Sequence, residues 1–372
     1  MIDAAAALDA RILAAIVAYA LDEAAFLDLA RDLFAFQIAR NAPYAAFARS
    51  LGYDPSRRPE RIEDIPAVPA AAFKEERLAA FPSHQCALWF ETSGTTRGRG
   101  GRHEFDTPFL YEAALLASFD RMMLADGAQL RYLLLVPNPA ERPHSSLGFM
   151  MEVVARMRGD GREGWYLRDD DLDIERFIAD VEQARADDAP VCLATTAFAL
   201  VALLDALGDR SLALPAGSRI METGGFKGRS RVVSRDVLYR EASQRLGVPI
   251  EGIVAEYGMT ELTSQYYDAP ASRSAIEPRI KRGPPWLRPL VVDGEGRVLP
   301  DGIVGTIRHV DLANRGSVIA VETEDLGALV DGGLVLLGRE AGAELRGCSL
   351  DAEGLLARRD PPRRASSSPG GS

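Results

Sequence analysis

The sequence predicts an α/β fold in which mostly parallel sheets are flanked by helices. Apolar runs at 131–138, 190–198 and 218–225 end in proline, polar residues or glycine, as buried strands do. Segments with helical periodicity alternate with these runs, and such alternation favours a parallel sheet. Because parallel sheets bind ligands at the carboxyl ends of their strands, we expect a site in the polar and glycine-rich segments that follow those ends.

The elements follow in order along the chain. Residues 1–50 are rich in alanine and leucine at helical spacing, which predicts a helical segment packed on a core that extends over 51–337. A proline-containing connector at 57–73 leads to Lys74. The next predicted helix begins at the cap Thr107. Later parts of the same pattern are helices at 199–208 and 235–248 and a strand at 250–258.

The pattern changes near the C-terminal end. From about 286 to 337, short β-rich runs alternate with Asp-Gly and Glu-Gly turns, which predicts hairpins in a small β-rich subdomain of the core. Residues 338–356 form a short C-terminal stub. Residues 357–372 hold proline, serine, glycine and arginine without core-forming residues, and this composition predicts a disordered tail.

Composition excludes several classes of function. The net charge of -11 argues against nucleic-acid binding, and no run of about 18 apolar residues predicts a membrane span. Asp3 and Asp9 stand where a signal peptide would be basic. The three cysteines are far apart and odd in number, which favours a reducing, cytoplasmic setting over a disulfide framework. A small-molecule or protein partner is therefore expected.

The segment "FETSGTTRGRGGRHEF" (90–105) has the composition of a phosphate loop. Its hydroxyls and backbone amides can wrap phosphates, and its glycines allow close approach. It lacks the Gly-Lys-Ser/Thr ending of an ordinary P-loop. His103, at its end, is a candidate for a phosphate contact. The alternative is a flexible surface loop.

Two later segments carry complementary chemistry. In "YGMTE" (257–261), Tyr257 can stack on a purine, Thr260 can bind phosphate and Glu261 can hold Mg²⁺ through oxygen. In "VETEDLG" (321–327), Asp325 can accept both hydroxyls of a ribose. The alternatives are a strand-to-helix turn capped by Thr260 and a plain polar turn.

In this order, the three segments resemble the adenylate-forming superfamily of acyl-CoA synthetases, adenylation domains and luciferase. Further stretches between about 50 and 350 look like the acyl-protein synthetase (LuxE-like) family of bacterial bioluminescence operons, and less closely like phenylacetate-CoA ligases. These stretches are "IPAVPAAAFKEERL", "ETGGFKGRSR", "YGMTELTSQYY", "PPWLRPLVVD", "TEDLG" and "LLGREAGAELRGCSL".

The resemblance implies a reaction in two halves. A carboxylic acid attacks the α-phosphate of ATP to give an acyl-adenylate and pyrophosphate, and a nucleophile then takes the acyl group. It also implies a set of contacts. Phosphate would be bound by Thr92, Ser93, Gly94, Thr95 and Thr96, adenine by Gly224, Gly225 and Tyr257, the α-phosphate by Thr260, Mg²⁺ by Glu261, and the ribose by Asp325.

The C-terminal end departs from the superfamily. Gly338 and Arg339 match its hinge, and Arg339 is counted with the nucleotide-binding residues, but the hinge aspartate and most of the C-terminal lid are missing. The late lysine that bridges carboxylate and α-phosphate has no counterpart. Either a partner supplies the cation, or the first step is slow, or one of the only three lysines of the chain, Lys74, Lys227 and Lys281, serves. Lys227 is the best candidate and Lys74 the second. A surface salt bridge is the alternative role for Lys227 and Lys74.

In acyl-protein synthetases a cysteine near the C-terminus carries the acyl group as a thioester, and Cys348 matches it. Thiolates are nucleophilic, and a thioester stays reactive for onward transfer. The alternative is a buried structural thiol. Cys86 and Cys192 lie in apolar runs and are expected in the core.

The resulting prediction is an ATP- and Mg²⁺-dependent ligase that passes an acyl group to a thiol, its own or a partner's. One alternative is a ligase for a small aromatic or secondary-metabolite acid with CoA, a carrier protein or an amine as acceptor. Another is a non-catalytic protein that binds nucleotide or acyl-adenylate. The acyl pocket is expected between 143–150, 193–198 and 262–268, with His144 as a possible lining residue.

Overall fold

A computed structural model of the chain describes residues 4–54, 57–92, 100–168, 171–224, 234–276 and 278–339. The tail predicted at 357–372 and most of the C-terminal stub lie outside these residues. Among the described helices, none is long and apolar enough to cross a bilayer.

Three helices form the N-terminal segment: α1 Ala4–Ala18, α2 Glu23–Ile38 and α3 Ala42–Ser50. Asp22 and Asn41 cap α2 and α3 by accepting the amide hydrogens of Ala25 and Tyr44 at 2.8 and 3.1 Å. Such caps satisfy backbone donors that have no partner inside the helix. The buried faces of the three helices share one apolar cluster with Trp286 and the strand residues near 310–321.

The other helices are α4 Phe109–Met123, α5 Ser146–Arg158, α6 Ile174–Ala186, α7 Ala197–Leu207 and α8 Arg235–Leu246. Ser145 caps α5 by accepting the Gly148 amide at 3.1 Å. The predicted cap of α4 is wrong, because Pro108 occupies the N-cap position. Thr107 instead accepts the amide hydrogen of Phe109 at 3.3 Å, within the turn before the helix.

The strands are short and most of them are buried. They are β1 Val68–Pro69, β2 Leu88–Glu91, β3 Arg102–Phe105, β4 Arg131–Leu135, β5 Gly164–Trp165, β6 Leu167–Arg168, β7 Asp171–Leu172, β8 Val191–Thr196, β9 Arg219–Thr223, β10 Ile253–Tyr257, β11 Tyr266–Asp268, β12 Lys281–Arg282, β13 Leu287–Val292, β14 Gly305–Asp311, β15 Ala320–Val330 and β16 Gly333–Arg339.

The α/β fold is confirmed, but the main sheet is mixed rather than mostly parallel. Its 12 strands run in the order β13-β14-β15-β16-β12-β11-β10-β9-β8-β4-β5, with β1 paired to β15. The half from β10 to β5 is parallel. From β10 to β13 each successive pair is antiparallel, because the predicted hairpin region continues the same sheet, while β1 pairs with β15 in parallel.

A buried ion cluster stabilises the junction of the two halves. Lys281 Nζ and Arg279 donate to opposite oxygens of Asp268 at 2.6 and 2.8 Å. The second oxygen of Asp268 also accepts the amide of Ala255 in β10, at 2.8 Å, and Lys281 donates to the Ala255 carbonyl at 2.8 Å. The three charged side chains are 0–3% exposed. The cluster therefore joins β10, β11 and β12 without solvent.

Candidate active site

Two predicted adenine-binding residues lie at the carboxyl ends of neighbouring parallel strands. Thr223 ends β9 and pairs in register with Glu256, the residue before Tyr257 at the end of β10. Gly224 follows directly with φ of +83°, a conformation that suits glycine. The structure thus places Gly224 beside Tyr257 at the edge of the sheet where the site was predicted.

Tyr257 and Asp325 are joined by a hydrogen bond although 68 positions separate them. The Tyr257 hydroxyl donates to Asp325 Oδ2 at 2.8 Å. Asp325 lies in β15, where its amide donates to Thr323 Oγ1 at 3.0 Å. In the register of the sheet, Asp325 faces Arg339 of β16. Residues predicted to hold adenine and ribose are therefore neighbours.

Thr260 and Glu261 lie on a support that the sequence did not predict. The ring nitrogens of His103 lie 2.7 Å from the Thr260 carbonyl and 2.9 Å from Asn314 Oδ1. Asn314 Nδ2 donates to the Glu261 carbonyl at 3.0 Å. Gln37 of α2 in turn donates to the Asn314 carbonyl at 2.7 Å. The N-terminal helices thereby support the loop that carries Thr260 and Glu261.

The predicted phosphate contact of His103 is wrong. His103 is fully buried beneath the loop, and both of its ring nitrogens face oxygens of the site's support. Burial lowers its pKa to about 4, while the bonds to Thr260 and Asn314 oppose that shift. His103 therefore positions the backbone of the loop instead of reaching the nucleotide.

Thr92 closes the base of the predicted phosphate loop. Its amide donates to the Gly101 carbonyl at 2.9 Å, and the Gly101 amide donates to Thr92 Oγ1 at 2.9 Å. Gly101 is also pressed against the preceding segment, since a Cβ there would lie 2.8 Å from the carbonyl carbon of Phe73. This contact places the loop base against the 3₁₀ helix Ala70–Lys74.

Several predicted residues lie outside the described part of the chain. They are Ser93, Gly94, Thr95, Thr96, Gly225, Lys227 and Cys348.

The remaining lysines differ sharply in environment. Lys74 is exposed at the end of its 3₁₀ helix. Lys281 is 3% exposed and bound to Asp268, far from solvent. Its expected part as a substitute for the missing lid lysine does not fit this geometry, because its ammonium already bonds Asp268 and a strand carbonyl.

Of the two described cysteines, only Cys192 is a core residue. Cys192 is fully buried, and burial raises the pKa of its thiol to about 12. Cys86 is only partly buried, so its expected place in the core is wrong. Burial and the nearby Glu104 also raise the pKa of Cys86. Neither thiol has the lowered pKa of an activated nucleophile.

One of the expected acyl-pocket segments, 143–150, lies beside Thr260. Ser146, at the start of α5, has its hydroxyl 3.4 Å from Thr260 Oγ1. His144 stacks on Trp89 with ring centroids 3.3 Å apart, and the Arg102 guanidinium lies 4.0 Å from the centre of the same indole. His144 is thus held against the Trp89 ring.

A buried carboxyl group in this region was missed. Glu256 is 7% exposed and accepts a hydrogen bond from Thr223 Oγ1. Burial raises its pKa to about 7, which the Thr223 bond and Lys281 oppose. Glu256 pairs across the sheet with Tyr267. The available signal was a single carboxylate inside the apolar run 253–257, where a buried polar group needs a partner.

Glu261 offers a single carboxylate to a magnesium ion. Within the described ranges, no group of three or more His, Cys, Asp or Glu side chains could hold a metal. Mg²⁺ usually takes one or two carboxylates and completes its shell with water and substrate phosphates. A single carboxylate beside Thr260 and the phosphate-loop base is suited to that mode of binding.

One curated protein is similar to most of this chain. A curated long-chain-fatty-acid–luciferin-component ligase of Aliivibrio fischeri is 22% identical over 312 residues, which cover 80% of this chain and 78% of the relative.

Two solved structures are similar to parts of this chain, and the first of them shares its fold. The 2-hydroxyisobutyryl-CoA ligase in complex with 2-HIB-AMP and CoA matches 86% of this chain and 68% of its own, with 14% identity and a TM-score of 0.64. The O-succinylbenzoate-CoA synthetase of Bacillus subtilis, in complex with ATP and magnesium ion, matches 68% of this chain with 18% identity and a TM-score of 0.48. The chain spans about half (49%) of that synthetase's length.

The family model for the acyl-protein synthetase LuxE matches residues 8–355, nearly the full length of the chain. The resemblance drawn from the phosphate, adenine and ribose segments is thereby confirmed. The chain belongs to the LuxE family of acyl-protein synthetases.

Proposed function

We propose that this chain is an ATP-dependent acid ligase that activates a carboxylic acid as an acyl-adenylate and transfers the acyl group to a thiol. The observation that carries the proposal is the bond of 2.8 Å between Tyr257 and Asp325 at the end of β10. It joins the residues proposed for adenine and ribose. Thr260 and Glu261 follow three and four positions after Tyr257 in the same loop.

In the first half-reaction, a carboxylate oxygen of the acid attacks the α-phosphorus. The bond from that phosphorus to the bridging oxygen breaks, and pyrophosphate leaves. The protein has little covalent chemistry to supply, so its part is to align the groups and stabilise negative charge. Thr260 would bind the α-phosphate. Glu261 would hold Mg²⁺, which neutralises phosphate charge when bound.

In the second half-reaction, a thiolate attacks the acyl carbonyl and AMP leaves. Cys348 is the proposed acceptor, which would make the acyl-enzyme a thioester. Cys192 is unsuited to this step, because its thiol is fully buried and its pKa is raised to about 12. Cys86 also has a raised pKa. The acid is expected to be a fatty or other acyl acid.

The positive charge that bridges carboxylate and α-phosphate would come from Lys227 or Lys74. Lys281 is unsuited, because Asp268 and the Ala255 carbonyl already bind its ammonium. Lys74 is exposed and lies in the 3₁₀ helix against the loop base, where Phe73 contacts Gly101.

ATP–pyrophosphate exchange across a panel of acids tests the first half-reaction. We expect exchange with at least one acid and a loss of about 10²-fold or more in Asp325→Ala and Glu261→Gln. ATP binding without exchange for any acid would favour the non-catalytic alternative and refute the proposal.

Transfer of a labelled acyl group tests the second half-reaction. We expect Cys348→Ala to keep exchange but lose covalent label, while Cys192→Ala and Cys86→Ala keep both. If Cys348→Ala is still labelled, or if CoA is consumed and no variant is labelled, then self-acylation at Cys348 is wrong and the acceptor is another residue or CoA.

A further inference from the structure

Beneath the proposed nucleotide site, four side chains form one hydrogen-bonded chain. The Tyr266 hydroxyl lies 2.9 Å from His309 Nδ1. His309 Nε2 lies 3.4 Å from the Tyr257 hydroxyl, which lies 2.8 Å from Asp325 Oδ2. This hydrogen-bonded series leads from the buried Tyr266 to Tyr257 and Asp325, the two residues proposed for adenine and ribose.

The partners fix the direction of every hydrogen bond. A carboxylate only accepts, so the proton of Tyr257 points to Asp325. The Tyr257 oxygen can then only accept from His309, which requires the proton on Nε2. Nδ1 is left as an acceptor for the Tyr266 hydroxyl. Burial lowers the pKa of His309 to about 3, so the neutral ring that this pattern needs is the form present near neutral pH.

The end of this series formed by Tyr266 and His309 is tightly packed. Tyr266 and His309 are fully buried. Gly283 packs so closely on Tyr266 that a Cβ there would lie 2.8 Å from Cε1 of the ring. His309 lies in β14, which neighbours β15 with Asp325, while Tyr257 and Tyr266 pair in register between β10 and β11. The hydrogen-bonded series therefore connects the parallel half of the sheet with the antiparallel half.

We propose that His309 is a positioning residue for the nucleotide ribose. By donating from Nε2 to the oxygen of Tyr257, His309 holds that phenol against Asp325 and keeps the carboxylate in the orientation that binds the ribose hydroxyls. His309 itself touches no part of the nucleotide. This inference rests on the proposed function, since it assigns the ribose to Asp325. The consequence is that discrimination between ATP and an analogue without ribose hydroxyls depends on His309.

The test compares equilibrium binding of ATP and 2′,3′-dideoxy-ATP by isothermal titration calorimetry on the full chain. We expect the wild type to prefer ATP by about tenfold or more, because bonds from hydroxyls to a carboxylate are lost in the analogue. The double variant His309→Leu/Tyr266→Phe removes the central ring without orphaning the Tyr266 hydroxyl. In this variant, the ratio of the affinities for ATP and the analogue is expected to fall close to one.

Matched variants separate this role from a general loss of structure. The amide of His309→Gln can place an N–H near the Nε2 position and is expected to retain most of the preference, whereas the shorter His309→Asn is not. Tyr257→Phe keeps the ring but deletes the bonds to both Asp325 and His309, and it should lose the preference for ATP as well. A structural defect would weaken both nucleotides equally and leave their ratio unchanged.

The outcomes distinguish the inference from the proposed function. If Tyr257→Phe or the folded double variant prefers ATP as strongly as the wild type does, the inference is overturned and the proposed function stands. A wild type that binds both nucleotides equally, but catalyses exchange, overturns the inference alone. A wild type that binds neither nucleotide and shows no exchange overturns both.

Discussion

Replacing Asp268 by asparagine tests the ion cluster at the sheet junction. The substitution keeps the shape of the side chain but removes the negative charge between Lys281 and Arg279, which lie 2.6 and 2.8 Å from its oxygens. At about 3 Å and an effective dielectric constant of about 20, each pair contributes roughly 5 kcal/mol of Coulomb attraction. The variant also avoids the cost of burying a charged carboxylate, which offsets several kcal/mol of the lost attraction. We therefore expect a net loss of about 3–5 kcal/mol in the free energy of unfolding.

Urea unfolding at pH 7, followed by circular dichroism, measures this loss. The matched control is Asp28→Asn, since Asp28 pairs with Arg11 on the surface and its side chain is 58% exposed. We expect the control to change stability by about 0.5 kcal/mol or less. If Asp268→Asn is as stable as the control variant, the cluster does not stabilise the junction and the reasoning is refuted.

The same cluster predicts the pH dependence of stability. Burial by itself would raise the pKa of Asp268, but Lys281 and Arg279 hold it below its ordinary value. A carboxyl group whose pKa is lowered in the folded state stabilises the fold above its unfolded pKa, and that contribution is lost as the pH falls through the folded value. The difference in the free energy of unfolding between wild type and Asp268→Asn is therefore expected to be largest near pH 7 and to vanish in strong acid.

Lys281→Met connects the cluster to function. Arg279 still balances Asp268 in this variant, but Asp268 Oδ1 and the Ala255 carbonyl each lose a donor. We expect a loss of about 2–4 kcal/mol in stability. Pyrophosphate exchange per folded molecule should be unchanged at a temperature where the variant is folded. A stable variant without exchange would instead identify Lys281 as the catalytic cation.

Two further substitutions test the site region. Glu256→Gln should remove a pH dependence of the free energy of unfolding, because burial raises the pKa of Glu256 to about 7 and the folded state then keeps a proton that the unfolded state releases. Relative to the variant, the wild type should lose on the order of 3 kcal/mol of stability as the pH rises from 4.5 to 8. Parallel curves of stability against pH, measured by urea unfolding, would contradict this. Gly101→Ala places a methyl group 2.8 Å from the backbone of Phe73 and should cost about 1–3 kcal/mol and weaken ATP binding, whereas Gly294→Ala, which meets no atom within 4 Å, should bind ATP like the wild type in calorimetry.

The α/β class and the strand ends could be predicted because they depend on local patterns. Apolar runs such as 131–138 need only a few neighbouring residues to indicate a buried strand. The polar segments after β9 and β10 predicted a site at one edge of the sheet, and the structure brings both segments to that edge because the two strands are parallel. The antiparallel half was not predicted as part of the same sheet, since the pairing of β12 with β16 joins residues about 50 positions apart.

Roles of single side chains depended on partners that no local pattern reveals. His103 follows a glycine-rich loop in sequence, but Thr260 and Asn314 bind it from far along the chain and turn it into a buried support. His309 belongs to no motif of its β-rich run, yet its ring lies within hydrogen-bonding distance of both Tyr257 and Tyr266.

The sequence by itself determined the family, and its short motifs, in the right order, were enough to propose Tyr257, Thr260, Glu261 and Asp325 as site residues. Only the tertiary structure decided which polar groups face the site and which are consumed inside the fold. The physical reason is desolvation: a charge such as Lys281 is stable in the interior only beside a partner like Asp268, and that partner is brought to it by the pairing of strands.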